Sequence, residues 1–218
     1  MKETLKTTVE GHVLVKDDLG NVLVDKHNAI HPANMAVAIA RGLSNADNAQ
    51  IFKMKLGNQG TYIDSSQQIV FRPPNVTGLA GTGNLYNPTY VEVIDDSDAE
   101  VGVGNSVTYT TIPASTSTRV IATCIISANE AVNRPTDESD AETGDGGGLD
   151  GIGIDGNIPT EGQFFFDELG LFTSGLENSV LVLNETDELM LSHLIFSPIE
   201  HTGNRELTIV YTLTITVT

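Results

Sequence analysis

The last twelve residues carry the most regular pattern in the chain: Leu207-Thr208-Ile209-Val210-Tyr211-Thr212-Leu213-Thr214-Ile215-Thr216-Val217-Thr218. Large apolar side chains occupy every second position from Leu207 to Val217, and threonine fills most of the positions between them. Successive side chains of a β-strand point to opposite faces of the sheet, so this period of two predicts a half-buried antiparallel strand. Threonine is β-branched and suits the outer face of such a strand. The pattern indicates a β-rich fold.

This final strand contains no Lys, Pro or Gly, the residues that commonly blunt an exposed sheet edge. A strand that ends at the end of the chain is easily an edge, so its protection is expected from pairing or covering, within the domain or by another subunit. We therefore expect a homo-oligomer or ring member whose neighbours protect its edges.

The rest of the chain supplies further strand patterns. The opening residues 7–24 alternate around the turn cluster 17–21 and predict a β-hairpin. Shorter strands are predicted at 51–56, 90–94, 107–112, 164–172, 181–183 and 189–196. In the strand at 51–56, Lys53 and Lys55 form a polar face. The continuous apolar run from Arg119 to Ser127 is the best candidate for a fully buried strand.

One helix is predicted, from Pro32 to Leu43. Proline suits a first helical position, and Met35, Ile39 and Leu43 recur every four residues as an apolar stripe. Residues 72–89, with several prolines and glycines, predict a long exposed connection. About eight strands and one short helix predict a mainly β fold, an antiparallel β-sandwich or jelly-roll-like domain that spans 1–218 as one unit.

The formal net charge of −18 is unevenly distributed. Residues 1–72 carry a net charge of +1, whereas residues 73–218 carry −19 with only three basic residues. Binding to phosphate backbones needs clustered Lys and Arg, and an acidic surface disfavours anionic lipid, so we expect no direct nucleic-acid partner. No apolar run approaches the ~20 residues of a bilayer span, and the start has no secretory apolar region, so we expect no membrane partner and assembly in a cytoplasm.

Residues 130–161 differ from the rest in composition, with nine acidic residues, seven glycines and one basic residue. Such a stretch buries too little apolar surface to offset its ordering entropy, which predicts a mobile acidic, glycine-rich loop. Within it, Asp145, Asp150 and Asp155 are candidate oxygen ligands for calcium. The spacing of known calcium loops is absent, so a solvated acidic loop without a bound ion is the alternative.

Other candidate sites have ordinary structural explanations. Cys124 is the only cysteine, which excludes an intrachain disulfide, and its apolar surroundings predict a buried inert thiol. His27 and His31 have the i, i+4 spacing of a metal-binding helix, but Pro32 follows them directly, so a strand-to-helix corner is the main interpretation. Asp167 and Glu168 are adjacent and point to opposite faces of a strand, so they cannot form a catalytic carboxylate pair. We predict no catalytic residues and no cofactor.

Several segments, taken in order, resemble a family of virion structural proteins of tailed bacteriophages, of the T4-like marine myovirus type. The amino-terminal segments are Val9-Glu10-Gly11-His12-Val13, Asp25-Lys26-His27-Asn28-Ala29-Ile30-His31, Asn34-Met35 and Ala40-Arg41-Gly42-Leu43-Ser44-Asn45. The central segments are Leu56-Gly57-Asn58-Gln59-Gly60-Thr61 and Asn84-Leu85-Tyr86-Asn87. The carboxy-terminal segments are Phe166-Asp167-Glu168-Leu169-Gly170-Leu171, His193-Leu194-Ile195-Phe196-Ser197-Pro198 and Asn204-Arg205.

The resemblance implies a non-enzymatic component of the phage virion, assembled in the host cytoplasm, whose partners are other virion proteins. A repeated neck, collar or tail-associated component is the main hypothesis. A capsid decoration (cement) protein and a carbohydrate-binding β-sandwich module are the alternatives. The absence of Trp and the scarcity of aromatic residues disfavour the carbohydrate-binding alternative, because sugar rings stack on aromatic side chains.

Overall fold

Eleven strands and one helix are present in the residues that the computed structural model describes, which are 5–46, 48–94, 104–128, 163–175, 187–202 and 204–218. The strands are β1 (Thr7–Asp17), β2 (Val22–Ile30), β3 (Ile51–Gly57), β4 (Thr61–Ile63), β5 (Ile69–Phe71), β6 (Pro88–Val93), β7 (Ser106–Thr111), β8 (Ser117–Ile126), β9 (Gln163–Thr173), β10 (Met190–Thr202) and β11 (Leu207–Val217). The helix, α1, spans Pro32–Leu43, as the sequence predicts. The strand predicted at 181–183 lies outside the described residues.

Nine of the strands form one antiparallel sheet in the order β6-β3-β9-β10-β2-β1-β11-β8-β7. The sheet curls into a half-barrel, which confirms the predicted mainly β, antiparallel, sandwich-like class with one helix among the described residues. The two ends of the sheet are joined by Asn105, which precedes β7. Its Nδ2 donates to the Val93 carbonyl of β6 at 3.1 Å, and its Oδ1 accepts from the amide of Ile125 in β8 at 2.7 Å.

The concave side of the half-barrel holds the main hydrophobic core, which draws on strands from both ends of the sheet. Val13 and Val15 of β1 pack there with Ile209 and Tyr211 of β11, as the period of two in both strands predicts. Met54, Leu56, Leu169 and Leu171 extend the same cluster through β3 and β9. Burial of these side chains is the dominant favourable term in folding such a sheet.

Strand β11 lies inside the sheet, so of the two kinds of protection expected for it, the structure shows pairing within the domain. It pairs with β1 from Leu207 to Val217 and with β8 on its other side. Its backbone groups are therefore satisfied within the domain, which explains why a strand without Lys, Pro or Gly needs no blunting. The edges of the nine-stranded sheet are β6 and β7.

Strand β8 is half-buried, which corrects the prediction of a fully buried strand for Arg119–Ser127. Ala122, Cys124 and Ile126 are buried, whereas Ile121 and Ile125 between them are only partly covered. The run looks continuous in sequence because apolar residues also occupy the outer face. A continuous apolar run therefore overestimates how much of a strand is buried when apolar residues also occupy its outer face.

The buried face of α1 also differs from the predicted stripe. Asn34, Met35 and Ala38 are buried, but Ile39 is 39% exposed and Leu43 is 86% exposed. The Asn34 amide causes this orientation, because its Nδ2 donates at 2.9 Å both to the Met190 carbonyl and to the Thr82 carbonyl. A buried polar group must keep its hydrogen bonds, and this requirement places Asn34 on the inner face of the helix.

Candidate functional site

A cluster of buried polar groups lies where β9 passes the turn that follows β3. This turn comprises residues 57–61, and Asp167 of β9 accepts hydrogen bonds from its backbone. The Oδ1 of Asp167 accepts from the amide of Gly60 at 2.7 Å, and Oδ2 accepts from the amide of Thr61 at 2.8 Å and from the Thr61 hydroxyl. Asp167 thus holds the β3–β4 turn against the sheet.

Glu168, the next residue, binds a different segment. Its Oε1 accepts from the amide of Asn87 at 2.8 Å and its Oε2 accepts from the amide of Tyr86 at 2.9 Å. The amide of Gln59 donates to Oε1 at 3.4 Å, and Nε2 of His193 in β10 lies 3.0 Å from Oε2. Glu168 and His193 are both fully buried. One carboxylate therefore connects β9, β10, the β3–β4 turn and the segment before β6.

Residues 72–87, the long connection between β5 and β6, are attached to the sheet by the same residues. The amide of Asn75 donates to Nδ1 of His193 at 2.9 Å, and Nδ2 of Asn75 donates to the Asn84 carbonyl at 3.0 Å. Leu85 is buried with Phe172 and Met190 in a second small core cluster. The predicted lack of regular structure is correct for residues 72–87. The predicted exposure holds for residues 77–82, whereas Asn75, Asn84 and Tyr86 are partly covered and Leu85 is buried.

The glycine at position 57 is required by how closely these segments approach. A Cβ added to Gly57 would lie 2.4 Å from the Asn87 carbonyl and 2.5 Å from Oε1 of Glu168. Real Cβ atoms do not approach other atoms this closely, so any side chain here would displace the carboxylate or the backbone. The glycine therefore lets the turn residues lie directly against Glu168.

The corner between β2 and α1 joins the same polar region. His31 is fully buried, and its Nδ1 accepts from the amide of Asn34, so the imidazole caps the helix. Asn34 in turn accepts from the amide of Gly81 at 2.7 Å, which fixes the middle of the long connection. The prediction of a strand-to-helix corner with a capping polar group is confirmed at His31.

Burial shifts the protonation equilibria of two groups in this region. Desolvation raises the pKa of the Asp167 carboxyl above its usual value, against the hydrogen bonds from Thr61 and Gly60 that lower it. Desolvation also lowers the pKa of the His31 imidazole. In both cases burial disfavours the charged form of the side chain.

The residues that meet around the Glu168 carboxylate are called the Glu168 network: Gly57, Gln59, Asn75, Tyr86, Asn87, Glu168 and His193. Its carboxylate accepts from backbone amides and from a histidine, so its hydrogen-bonding capacity is used inside the protein. The sequence does not show that these residues meet, because they come from segments far apart in the chain. Asp167 and Glu168 do bind different partners, as the argument from opposite strand faces predicts.

His27 and His31, whose spacing is that of a metal-binding helix, do not share a site in the described part of the chain. His27 contacts the Gly11 carbonyl through Nδ1 at 3.2 Å, while His31 caps the helix, so the two histidines have separate partners. Asp145, Asp150 and Asp155 lie outside the described residues, as does the whole of 130–161. The described ranges contain no group of three or more His, Cys, Asp or Glu side chains placed to hold a metal ion. Cys124 is fully buried.

The environment of Lys53 and Lys55 has no signature in the sequence. They share one face of β3, as predicted, and both are fully buried. The carboxylate of Glu188 lies against both ammonium groups: Nζ of Lys53 is 3.3 Å from Oε2, and Nζ of Lys55 pairs with Oε1. Buried lysines occur almost only with a partner, and this partner is distant in sequence.

Two surfaces of the described residues expose groups that commonly mediate contacts. Strand β7 is an edge of the sheet, and its residues from Thr108 to Thr111 are exposed, with Tyr109 77% exposed. The hairpin of β4 and β5 exposes Ile63 and Ile69, which lie opposite each other in the pairing. By contrast, Thr89 to Glu92 in the other edge strand, β6, are buried.

No protein-family model matches the chain, and neither the curated proteins nor the solved structures contain a significant match to it. Among the described residues there is no helix of the length and apolarity that a bilayer crossing requires.

Proposed function

We propose that this chain is a non-enzymatic structural protein of a tailed-phage virion, most specifically a repeated component of the neck, collar or tail. The observation that carries the proposal is the Glu168 network. Three separated segments of the family resemblance, around residues 57–61, 84–87 and 166–171, meet there with His193. Residues that give a sequence its resemblance to a structural family are expected to maintain the shape of the protein.

The use of these polar groups also supports a structural role. An enzyme places its acids and bases where a substrate can reach them, within hydrogen-bond distance of a reacting group. Glu168 and His193 are fully buried and bound to each other and to backbone amides. In the proposed role they hold the long connection against the sheet, so that the outer surface of the protein has one defined shape.

The partners in this proposal are other virion proteins and further copies of the chain. An unblunted edge such as β7 can pair with a strand of another chain. Exposed apolar side chains such as Ile63 and Ile69 are typical of contact surfaces when they cluster. The acidic balance of residues 73–218 favours protein or cation partners over nucleic acid.

Localisation on intact particles tests the proposal. Gold-labelled antibodies raised against the purified chain should decorate the neck, collar or tail of particles of the phage that encodes it. Labelling spread over the head would instead support the capsid decoration alternative. Particles that carry no label, with the protein found only in the soluble fraction of infected cells, would contradict a virion role.

A further inference from the structure

The strongest unassigned chemistry in the molecule is the cluster of Lys53, Lys55 and Glu188. The two lysines are two residues apart on β3 and therefore project from the same face of the strand. Glu188 precedes β10, and its side chain is 7% exposed. In the sheet, β9 separates β3 from β10, so the three side chains meet across an intervening strand.

The geometry places an amine directly against a carboxyl group. Nζ of Lys55 contacts Oε1 of Glu188, while Nζ of Lys53 lies 3.3 Å from the other carboxyl oxygen, Oε2. The centroid of the Phe172 ring lies 4.5 Å from Nζ of Lys55. Two reacting groups held in contact behave as if each were at very high concentration, which is the main requirement for a reaction between them.

Burial also favours the uncharged form of the Glu188 carboxyl. Desolvation is the largest influence on Glu188 and raises the pKa of its carboxyl, although Lys55 and Lys53 act to lower it. Transfer of a proton from the Lys55 ammonium to this carboxylate replaces two buried charges by a neutral amine and a neutral acid. A neutral amine is the nucleophile, and a neutral carboxylic acid is the electrophile, of amide formation.

We propose that Lys55 and Glu188 react within the folded protein to form an isopeptide bond. Nζ of Lys55 attacks Cδ of Glu188, so that a bond forms between nitrogen and carbon. The bond between Cδ and Oε2 breaks, and Oε2 leaves as water, which carries one proton from the carboxyl group and one from the amine. No oxidant, reductant or further reactant is consumed.

Lys53 has a separate part in this reaction. Its ammonium, next to Oε2, stabilises the negative charge that develops on the carboxyl oxygens during attack. It then donates a proton to the departing Oε2 and recovers one from Nζ of Lys55, so its own protonation state is unchanged at the end. The product joins β3 covalently to the start of β10 across β9. This inference concerns the chemistry of the chain and does not depend on the proposed function.

Mass measurement of the full-length purified chain under denaturing conditions tests the proposal. The wild-type protein should be lighter than its sequence mass by one water, about 18 Da. Digestion should yield a branched peptide in which Lys55 is joined to Glu188. Wild-type protein that keeps its full sequence mass after days at neutral pH, or whose mass loss maps to other residues, would overturn the proposal.

Three variants distinguish the roles of the lysines. Lys55→Met, which keeps a long buried side chain, should have its full sequence mass. Lys53→Met should form the bond more slowly, so that fresh protein is a mixture of the two masses. Lys26→Met, at an exposed lysine, should lose one water as the wild type does. If Lys55→Met fails to fold, the wild-type mass and the branched peptide still decide the question. A Lys53→Met variant that reacts as fast as the wild type would remove Lys53 from the mechanism.

Discussion

Nε2 of His193 lies 3.0 Å from Oε2 of Glu168, and both side chains are fully buried. The other ring nitrogen of His193 accepts a hydrogen bond from the amide of Asn75. A neutral imidazole has one donor and one acceptor nitrogen, so Nε2 carries the proton and donates it to Glu168. The pair thus links two strands of the sheet to the connection between β5 and β6 through one fixed tautomer.

The first prediction concerns Glu168→Gln, which preserves the size of the side chain. Glu168 accepts from three backbone amides and from His193, whereas the amide nitrogen of glutamine can only donate. At least one buried donor loses its acceptor, which should lower the free energy of unfolding by about 1–3 kcal/mol. Urea denaturation measures this loss. Glu10→Gln, at an exposed position of β1, is the control and should unfold as the wild type does. Equal stability of the two variants would contradict the importance of the Glu168 network.

Substitution of two glycines by alanine should have opposite effects. In Gly57→Ala the new methyl group would overlap the Asn87 carbonyl and Glu168, and the resulting displacement should cost about 1–3 kcal/mol. In Gly42→Ala, within α1, the nearest atom is 4.0 Å away, and alanine should stabilise the helix by about 0.5–1 kcal/mol. Thermal unfolding should show a lower Tm than the wild type for Gly57→Ala and a higher Tm for Gly42→Ala. A stable Gly57→Ala protein would mean that the turn can move away from the sheet.

The pH dependence of stability should be altered by His31→Asn. Burial lowers the pKa of His31 in the folded protein, so below about pH 6.5 the unfolded chain binds a proton that the folded chain does not. This histidine therefore makes the wild-type protein less stable as pH falls from that value towards its folded pKa. Asparagine can still cap the helix but does not titrate. Urea denaturation between pH 7 and pH 5 should show a smaller loss of stability for His31→Asn.

The control for this prediction is His12→Asn, at a partly exposed histidine of β1. The wild-type dependence on pH should persist in this variant if His31 is responsible. A His31→Asn protein with the same dependence as the wild type would assign the effect to other groups.

Charged residues on the exposed edge should impair assembly without unfolding the protein. Thr108→Lys and Thr110→Lys place lysine on β7, where both threonines are exposed, and the stability should change by less than about 0.5 kcal/mol. Self-association in sedimentation experiments and incorporation into particles should both decrease, because lysine on an edge strand opposes pairing with another strand. Thr8→Lys in β1, an interior strand of the sheet, is the matched control. Unchanged assembly in all three variants would exclude β7 as a contact.

Neighbouring residues of β11 should differ strongly in their tolerance of aspartate. Tyr211 is fully buried, its hydroxyl donates to Ser192, and it accepts from Asn28, so Tyr211→Asp should cost about 3–5 kcal/mol. Thr212 points to the opposite face and is only partly buried, so Thr212→Asp should leave the protein folded. Circular dichroism and urea denaturation of the two purified proteins compare these outcomes. If the face of Thr212 meets a neighbouring subunit, that variant should also assemble less.

The elements with a clear sequence period were predictable, and their neighbours in the sheet were not. The bounds of α1 follow from local signals, namely Pro32 at its start and the polar residues after Leu43. The position of β11 inside the sheet depends on pairing with β1, which comes from the other end of the chain. Such long-range pairing has no signature within a single strand, so a strand at the edge of a sheet and a strand inside it can have the same sequence pattern.

The lysines on β3 show that local sequence patterns are equally limited in predicting the candidate sites. Lys53 and Lys55 alternate with apolar residues, and this pattern is the usual one for a strand with one solvated face. The carboxylate that contacts both of them belongs to Glu188, more than a hundred residues later. The Glu168 network likewise combines segments that are ordinary turns and strands when each is taken alone. Local patterns predict which residues share a face, but the covering of that face is a property of the whole fold.

The difference between the two edge strands limits how the sheet can grow. Residues 89–92 of β6 are buried, and Asn105 connects this strand to β8, whereas most of β7 is exposed. Two copies that pair through β7 in antiparallel orientation are related by a twofold axis, and this pairing uses the open edge of both. A third copy then has no open edge of the nine-stranded sheet to join. Pairing through β7 alone would therefore stop at a dimer, and the proposed ring would need a second, chemically different contact surface.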